Sequence, residues 1–362
     1  QQDRKAGVMR YLQRGVTVQD DGRAAAGYTL FTPLLQREAY LVDMAGKVVH
    51  TWAIPGQPGN YAKLQPNGNL LVSTWMGKGP EGLAARGGLI QEMDWDGKVV
   101  WGYRDENQHH DFHRLPNGNL IYLSWELMPG DAAARVQGGG AGGEHAAGGI
   151  WGDLLVEVNA AGEKVWEWRI WEHVEIEDHP IMHIKNRHEF GHANTIAPMG
   201  DGRIGVCCRC LDWVGVIDQA SGDLIYERHE PDWGGPHDFQ ILENGNYLVF
   251  ANRNAQVPRG SKVVEWNPET DETVWEYWGN PSHTFDSHFI SGAQRLTNGN
   301  TLICEGLWGR LFEVTNDGEI VWEYISPFTS NETKGMSTGD QSTIFRAYRY
   351  AADSPEIGGR LG

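Results

Sequence analysis

The run HDFHRLPNGNLIYLSW, residues 110–125, decides the fold of this 362-residue chain. Its centre, Asn117-Gly118-Asn119, separates two apolar-rich stretches, and an Asn-Gly pair so placed marks a tight hairpin because it accepts positive φ at little cost. The same turn recurs as QPNGNLL from Gln65, ENGNYLV from Glu243 and TNGNTLI from Thr297, with GDGRIGV from Gly200 as a variant. A second hairpin interleaves with the first. It reads AYLVDMAGKVVHTW from Ala39, LIQEMDWDGKVVWGYR from Leu89, LLVEVNAAGEKVWEWR from Leu154, VGVIDQASGDLIYERH from Val214, VVEWNPETDETVWEYW from Val263 and LFEVTNDGEIVWEY from Leu311. Alternating apolar residues in these runs indicate strands with one packed and one wetter face.

The two hairpins together make a four-strand unit, A to D, repeated every roughly 40–60 residues, which is a propeller period. Five A strands begin near Asn60, His110, His192, His237 and His288. The N-terminal YTLFTPL can serve only as a B strand, and the C-terminal STIFRAYRY supplies its missing A strand. The expectation is an all-β, six-bladed propeller closed by both termini in one blade. Residues 28–350 form the propeller, 1–27 an N-terminal extension and 351–362 a C-terminal tail. The tryptophans near D-strand ends are read as blade packing.

Composition agrees with a globular β protein: 47 glycines serve many turns and 16 tryptophans supply large packing residues. A formal net charge of −18 without a basic stripe excludes a nucleic-acid binder. It leaves room for an anionic small substrate, because a local cluster of Arg and His can reverse the field inside a pocket. No apolar run is long enough to span a membrane. Cys207, Cys208, Cys210 and Cys304 show neither a zinc spacing nor a disulfide framework and are read as buried thiols.

The A strands begin, and the B strands end, on one face of a propeller, so the chemistry is expected there. Aligned on their turns, three A strands place His110, His192 and His237 at equivalent mouth positions; Asn60 and Ser291 hold that place elsewhere, with His288 just upstream of Ser291. Arg209 and Arg253 follow B strands and can clamp sulfate, phosphate or carboxylate oxygens. Asn194 can reach the same cavity. His113 is expected to face away from the side used by His110, and His109, His283 and Asp111 are weaker candidates. The insertions 129–150 and 171–191 are expected to form a lid over the axis. His188-Glu189-Phe190-Gly191-His192 matches a zinc-protease motif, but that motif needs a helix, and here Gly191 interrupts it and His192 begins a strand.

The chain resembles the bacterial arylsulfotransferase family, the PAPS-independent aryl-sulfate sulfotransferases. The resemblance rests on AAAGYTLFTPL (24–34), AYLVDMAGKVVHTW (39–52), HHDFHRLPNGNLI (109–121), GGPHDFQILENGN (234–246), SGAQRLTNGNTLICEG (291–306) and IFRAYRY (344–350). It implies sulfuryl transfer between phenols through a sulfated histidine, with His237 as nucleophile. His192, His110 and Arg209 would bind the sulfate, and Asn194 would orient the sulfuryl group. Arg253, His288 and Asn60 are expected to contact substrate. The partner is then a small phenol or sulfate ester, with no nucleic acid, metal or nucleotide required. A periplasmic or secreted location is expected, with the start QQDRKAG read as a processed terminus. The histidine-rich insertion 171–191 departs from the family pattern, and the family's cysteine pair is not evident. Two other readings remain at this stage. One is a metal-dependent lyase or hydrolase, with a divalent cation held by His110, His192, His237 and His288 and a bound water as base or nucleophile. The other is a non-catalytic binding propeller.

Overall fold

The computed structural model describes residues 13–140, 149–254, 260–330 and 341–361. Six antiparallel sheets stand in a ring, each with its first strand innermost. Blade I is Ile344–Tyr350, Tyr28–Pro33, Glu38–Val42 and Val48–Ala53, so the two ends of the chain close the ring as expected. The inner strands of blades II to VI are Pro58–Leu64, Gln108–Arg114, Ala193–Pro198, His237–Ile241 and Gly292–Arg295. Gly15–Gln19, inside the segment read as an N-terminal extension, pairs with Ile320–Ile325 and gives blade VI a fifth strand.

The repeat has a local chemical cause. The turn glycines hold positive φ, 84° at Gly68 and Gly118. The second Asn of each turn donates from Nδ2 to a glutamate on the C strand of its own blade: Asn69 to Glu92 at 2.7 Å, Asn119 to Glu157 at 2.5 Å, Asn246 to Glu265 at 2.7 Å and Asn300 to Glu313 at 2.7 Å. The Asn-Gly-Asn turn and the C-strand glutamate are therefore one device.

Between blades, apolar side chains of neighbouring sheets interlock in six clusters, one at each interface, as with Trp52 and Leu30 of blade I against Leu64 and Val72 of blade II. Tryptophan indoles tie blades together as well. Trp52 donates to the Asp94 carbonyl at 3.1 Å, Trp168 to Gly222 at 2.9 Å, Trp275 to Asn316 at 2.9 Å and Trp322 to Met44 at 2.9 Å. All four cysteines are buried free thiols. Among the described residues no helix is long and apolar enough to cross a membrane.

The insertions pack against each other beside blades III and IV. Gly139 N donates to Ile181 O at 2.9 Å and Gly140 N to Lys185 O at 2.7 Å. Val136, Trp171, Ile176 and Ile181 form part of the apolar cluster between those blades. Among the described residues neither insertion lines the axial cavity, which departs from the lid reading. Their buried apolar side chains pack into that cluster between the blades instead.

Candidate active site

Each inner strand has to turn its first residues into the axis, and irregular backbone accomplishes this. The pairing register slips between Tyr122 and Leu123, between Ala193 and Thr195 and between His237 and Gln240. Such bulges re-aim side chains at the ends of strands. Non-glycine residues hold positive φ at these points: 45° at His110, 54° at His192 and 55° at Asp238. Backbone of this kind costs about 1–3 kcal/mol per residue and persists only where its surroundings enforce it.

In the two HDF copies the histidine then faces one side of the axis and the aspartate the other. Asp111 accepts from Ile196 N at 2.8 Å, and Asp238 from Ala293 N at 2.9 Å, each reaching the next blade. Between them lies Arg346 of the closing strand, 3.1 Å from Asp111 and 3.2 Å from Asp238. Arg346 also donates to Thr195 Oγ1 at 2.5 Å and Asn194 O at 2.8 Å. Burial acts to raise the Asp111 pKa, but His113 and Arg346 hold it well below the usual carboxylate range. This ionic layer divides the axis. A cavity of about 300 Å³ on the turn side is lined by Lys63, His113, Gln240, Gln294 and Tyr348 among others. His113 belongs there, 3.2 Å from Asp111, on the side away from His110.

The other cavity, of about 610 Å³, holds His110, His192, His237, Arg209 and Asn60. Most of its remaining wall is apolar or aromatic, from Leu34, Leu35, Trp75, Leu83, Phe289, Ile290 and Phe345, beside Gln57 and an Arg86 stacked on Trp75 at 5.0 Å. Among the described residues no acidic side chain lines it. The field inside is therefore positive although the chain as a whole is strongly acidic.

The three histidines are held by their Nδ1 atoms. His237 Nδ1 lies 3.0 Å from Gly235 O and 2.7 Å from Asn252 Oδ1. Asn252 is oriented without ambiguity, because its Nδ2 donates to the Ser287 and Ile290 carbonyls at 2.6 and 2.8 Å. Facing two acceptors, His237 Nδ1 must carry the hydrogen, so in the neutral ring Nε2 keeps its lone pair. Burial, then Arg209, pushes the His237 pKa well below its ordinary value, so the ring is neutral near pH 7. His192 Nδ1 likewise donates to Glu189 Oε2 at 2.6 Å, and the other oxygen of Glu189 accepts from Trp125 Nε1 at 2.9 Å. His110 Nδ1 meets His109 Nδ1 at 2.8 Å. Burial also lowers the pKa of His110 and of His192. In HEFGH, then, the glutamate orients the second histidine, and both flank a strand rather than a helix.

Arg209 follows its B strand as expected, and its backbone N–H donates to His192 O at 3.1 Å. Among the described residues no carboxylate pairs with its guanidinium, and its Nε has no hydrogen-bond partner. Asn60 Nδ2 is equally unpartnered. Three of the other expected residues are placed elsewhere. Asn194 donates to Pro236 O at 2.8 Å and accepts from Thr195 at 2.6 Å, so its amide is spent inside the wall beside His237. Arg253 turns outward to Gly260 O at 3.2 Å and Asp232 at 3.7 Å, because Asn252 takes the inward place one residue earlier. His288 is exposed, and Phe289 and Ile290 line the cavity in its stead. Among the described residues no group of three or more His, Cys, Asp or Glu side chains is spaced to hold a metal ion.

Fold and site together define a six-bladed propeller with a cationic, aromatic-walled pocket on its axis. Residues 62–327 match the family model described as arylsulfotransferase (ASST), and the chain belongs to that family. No curated protein matches the sequence. Among solved structures, a protein of unknown function from Bacteroides caccae is similar, with 16% identity over 90% of this chain and 99% of that one and a TM-score of 0.55; this likeness concerns the fold. A catalytically inactive virginiamycin B lyase from Staphylococcus aureus with quinupristin aligns at 13% identity over 91% of this chain and 92% of that one, with a TM-score of 0.48.

Proposed function

We propose that the protein transfers a sulfuryl group from a phenolic sulfate ester to another phenol, carried in between on His237 Nε2. The observation behind this reading is the tautomer of His237: a neutral imidazole, locked by two acceptors at Nδ1, with its Nε2 lone pair beside an unpaired arginine. Attack of Nε2 on sulfur forms the N–S bond, and the S–O bond breaks with its electron pair on the phenolate oxygen. The ring of the sulfated histidine is then positive, and its Nδ1–H already donates to Gly235 O and Asn252 Oδ1. Arg209, whose Nε lacks a partner among the described residues, and Asn60, whose Nδ2 also lacks one, would donate to the sulfuryl oxygens, with His110 beside them. Trp75, Phe289 and Phe345 suit the aryl ring. The acceptor phenol reverses the step. The route needs no metal and no nucleotide.

The test is incubation with p-nitrophenyl sulfate and a series of phenols. Nitrophenol release that requires an acceptor, and is absent in His237→Ala, is expected. Failure of the wild type across the series, or equal turnover by the variant, would overturn the reading.

A further inference from the structure

Behind His110 lies a buried pair with no role in binding. His109 is fully buried and stacks on Trp125, with ring centroids 4.0 Å apart and planes 12° from parallel. Its Nδ1 is 2.8 Å from His110 Nδ1, and its Nε2 is 3.3 Å from Asp153 Oδ1. Among the described residues neither His109 Nε2 nor Asp153 Oδ1 has another hydrogen-bond partner, so there these two buried atoms face each other alone. Asp153 Oδ2 accepts from Ala193 N at 2.9 Å. Its place is kept by Gly191, where φ is 101° and any Cβ would fall on that carboxylate. Only one hydrogen fits between two Nδ1 atoms at this distance. The row Asp153–His109–His110 therefore has two states that differ by one shift of that hydrogen.

We propose that Asp153 and His109 form with His110 a proton relay, in which His110 Nε2 is the acid–base atom for the phenolic oxygen; the proposal rests on the sulfuryl-transfer reading. In the donor half-reaction the departing phenolate takes the proton from His110 Nε2. The Nδ1 hydrogen of His109 moves to His110 Nδ1, and His109 passes from imidazolium to neutral imidazole beside Asp153. The acceptor phenol later returns a proton to His110 Nε2, and the row resets. Protons and charge balance over the two halves.

The relay answers an electrostatic difficulty. A cation on His110 would face Arg209, His192 and His237, all of which oppose it. One residue further back, the same charge lies against the Asp153 carboxylate with Glu189 nearby. The relay holds the phenol's proton without placing a positive charge among the sulfate-binding groups. His109 and Asp153 touch no substrate and are positioning residues.

The test compares two donors. Phenyl sulfate releases a phenolate about as basic as tyrosine, pKa about 10, whereas the p-nitrophenolate needs no proton near neutral pH. For His109→Gln and Asp153→Asn, kcat/KM with phenyl sulfate should fall about 10²-fold or more, and with p-nitrophenyl sulfate only about threefold or less. Equal losses with both donors in folded variants, or no loss with either, would overturn the relay. A second readout needs no turnover: the imidazole ¹⁵N resonances of His110 should shift in Asp153→Asn although Asp153 does not touch it, and an unshifted His110 also overturns the relay. If the wild type transfers no sulfuryl group while His110 still responds, the assigned reaction has failed, and with it the relay's role, although Asp153 and His110 are coupled through His109.

Discussion

Replacing Arg209 by Met should make the empty protein more stable and the working protein nearly inactive. The guanidinium lines the cavity, and among the described residues it has no carboxylate partner and its Nε no hydrogen-bond partner. A buried donor left unsatisfied costs about 1–3 kcal/mol, and the charge also opposes protonation of His110 and His237. Met keeps the packing and removes both costs, so folding should gain about 1 kcal/mol, seen as a rise in Tm of about 1–2 °C for a chain of this size. Inorganic sulfate is the probe of binding. It should raise the Tm of the wild type and leave that of Arg209→Met unmoved, since a hydrogen bond to a charged group is worth about 1.5–3 kcal/mol. With an aryl sulfate, kcat/KM should fall by about 10²–10³, as for other donors to a developing anion. Arg209→Lys should restore sulfate-dependent stabilisation only in part, because it lacks the planar fork. A variant that melts lower than the wild type while responding equally to sulfate would show that Arg209 is a structural cation, and the reasoning would fail.

Asn252→Asp places a carboxylate against His237 Nδ1, which favours the imidazolium; the acid limb of the pH–rate profile should move to higher pH, and an unmoved limb would break the tautomer argument. Arg346→Met removes the cation that separates Asp111 from Asp238 and should cost about 3–5 kcal/mol, read by denaturant unfolding. Stability should also fall on acidification from about pH 6.5, the unfolded histidine value, towards about pH 5. Seven histidines (50, 110, 113, 173, 192, 229 and 237) have folded pKa values below that value, so the unfolded chain binds protons that the folded one refuses. Asp153, Asp212 and Asp238 act in the opposite sense, because burial raises them, but they are fewer. A flat or rising Tm over that window would contradict the balance.

The ring was legible in the sequence because the Asn-Gly-Asn turn and the second hairpin recur at a steady interval, a pattern that survives changes in loop length; the glutamate that caps each such turn emerges only in the structure. His110, His192 and His237 were legible for a related reason: equivalent positions on equivalent strands share a destination. Readings failed where one residue of parity decides. Asn252 and Arg253 are neighbours at a strand end, and only the backbone there settles which one turns inward. In blade VI, Ile290 and Ser291 both hold positive φ, at 55° and 89°, which carries His288 out to solvent. Asn194 sits in a bulge that spends its amide on the wall. Arg86 and Trp75 border the connection between the second and third strands of blade II, whose length differs from blade to blade, so no alignment of repeats could bring them forward. His109 differs from His110 by one step along a strand, and that step moves it from the cavity to the interior behind it. Asp153 gave no signal, since on a C strand it reads as one more polar residue in an alternating pattern.

The central claim is that His237 carries the sulfuryl group between donor and acceptor. It is tested most directly by mixing the protein with an aryl sulfate, without acceptor, quenching under alkaline conditions and sequencing its peptides by mass spectrometry. The account expects one added SO₃ group on the peptide containing His237, discharged by a phenol and missing in His237→Ala. An unmodified His237 in a protein that nonetheless transfers sulfate, or an SO₃ group on another residue, would contradict it.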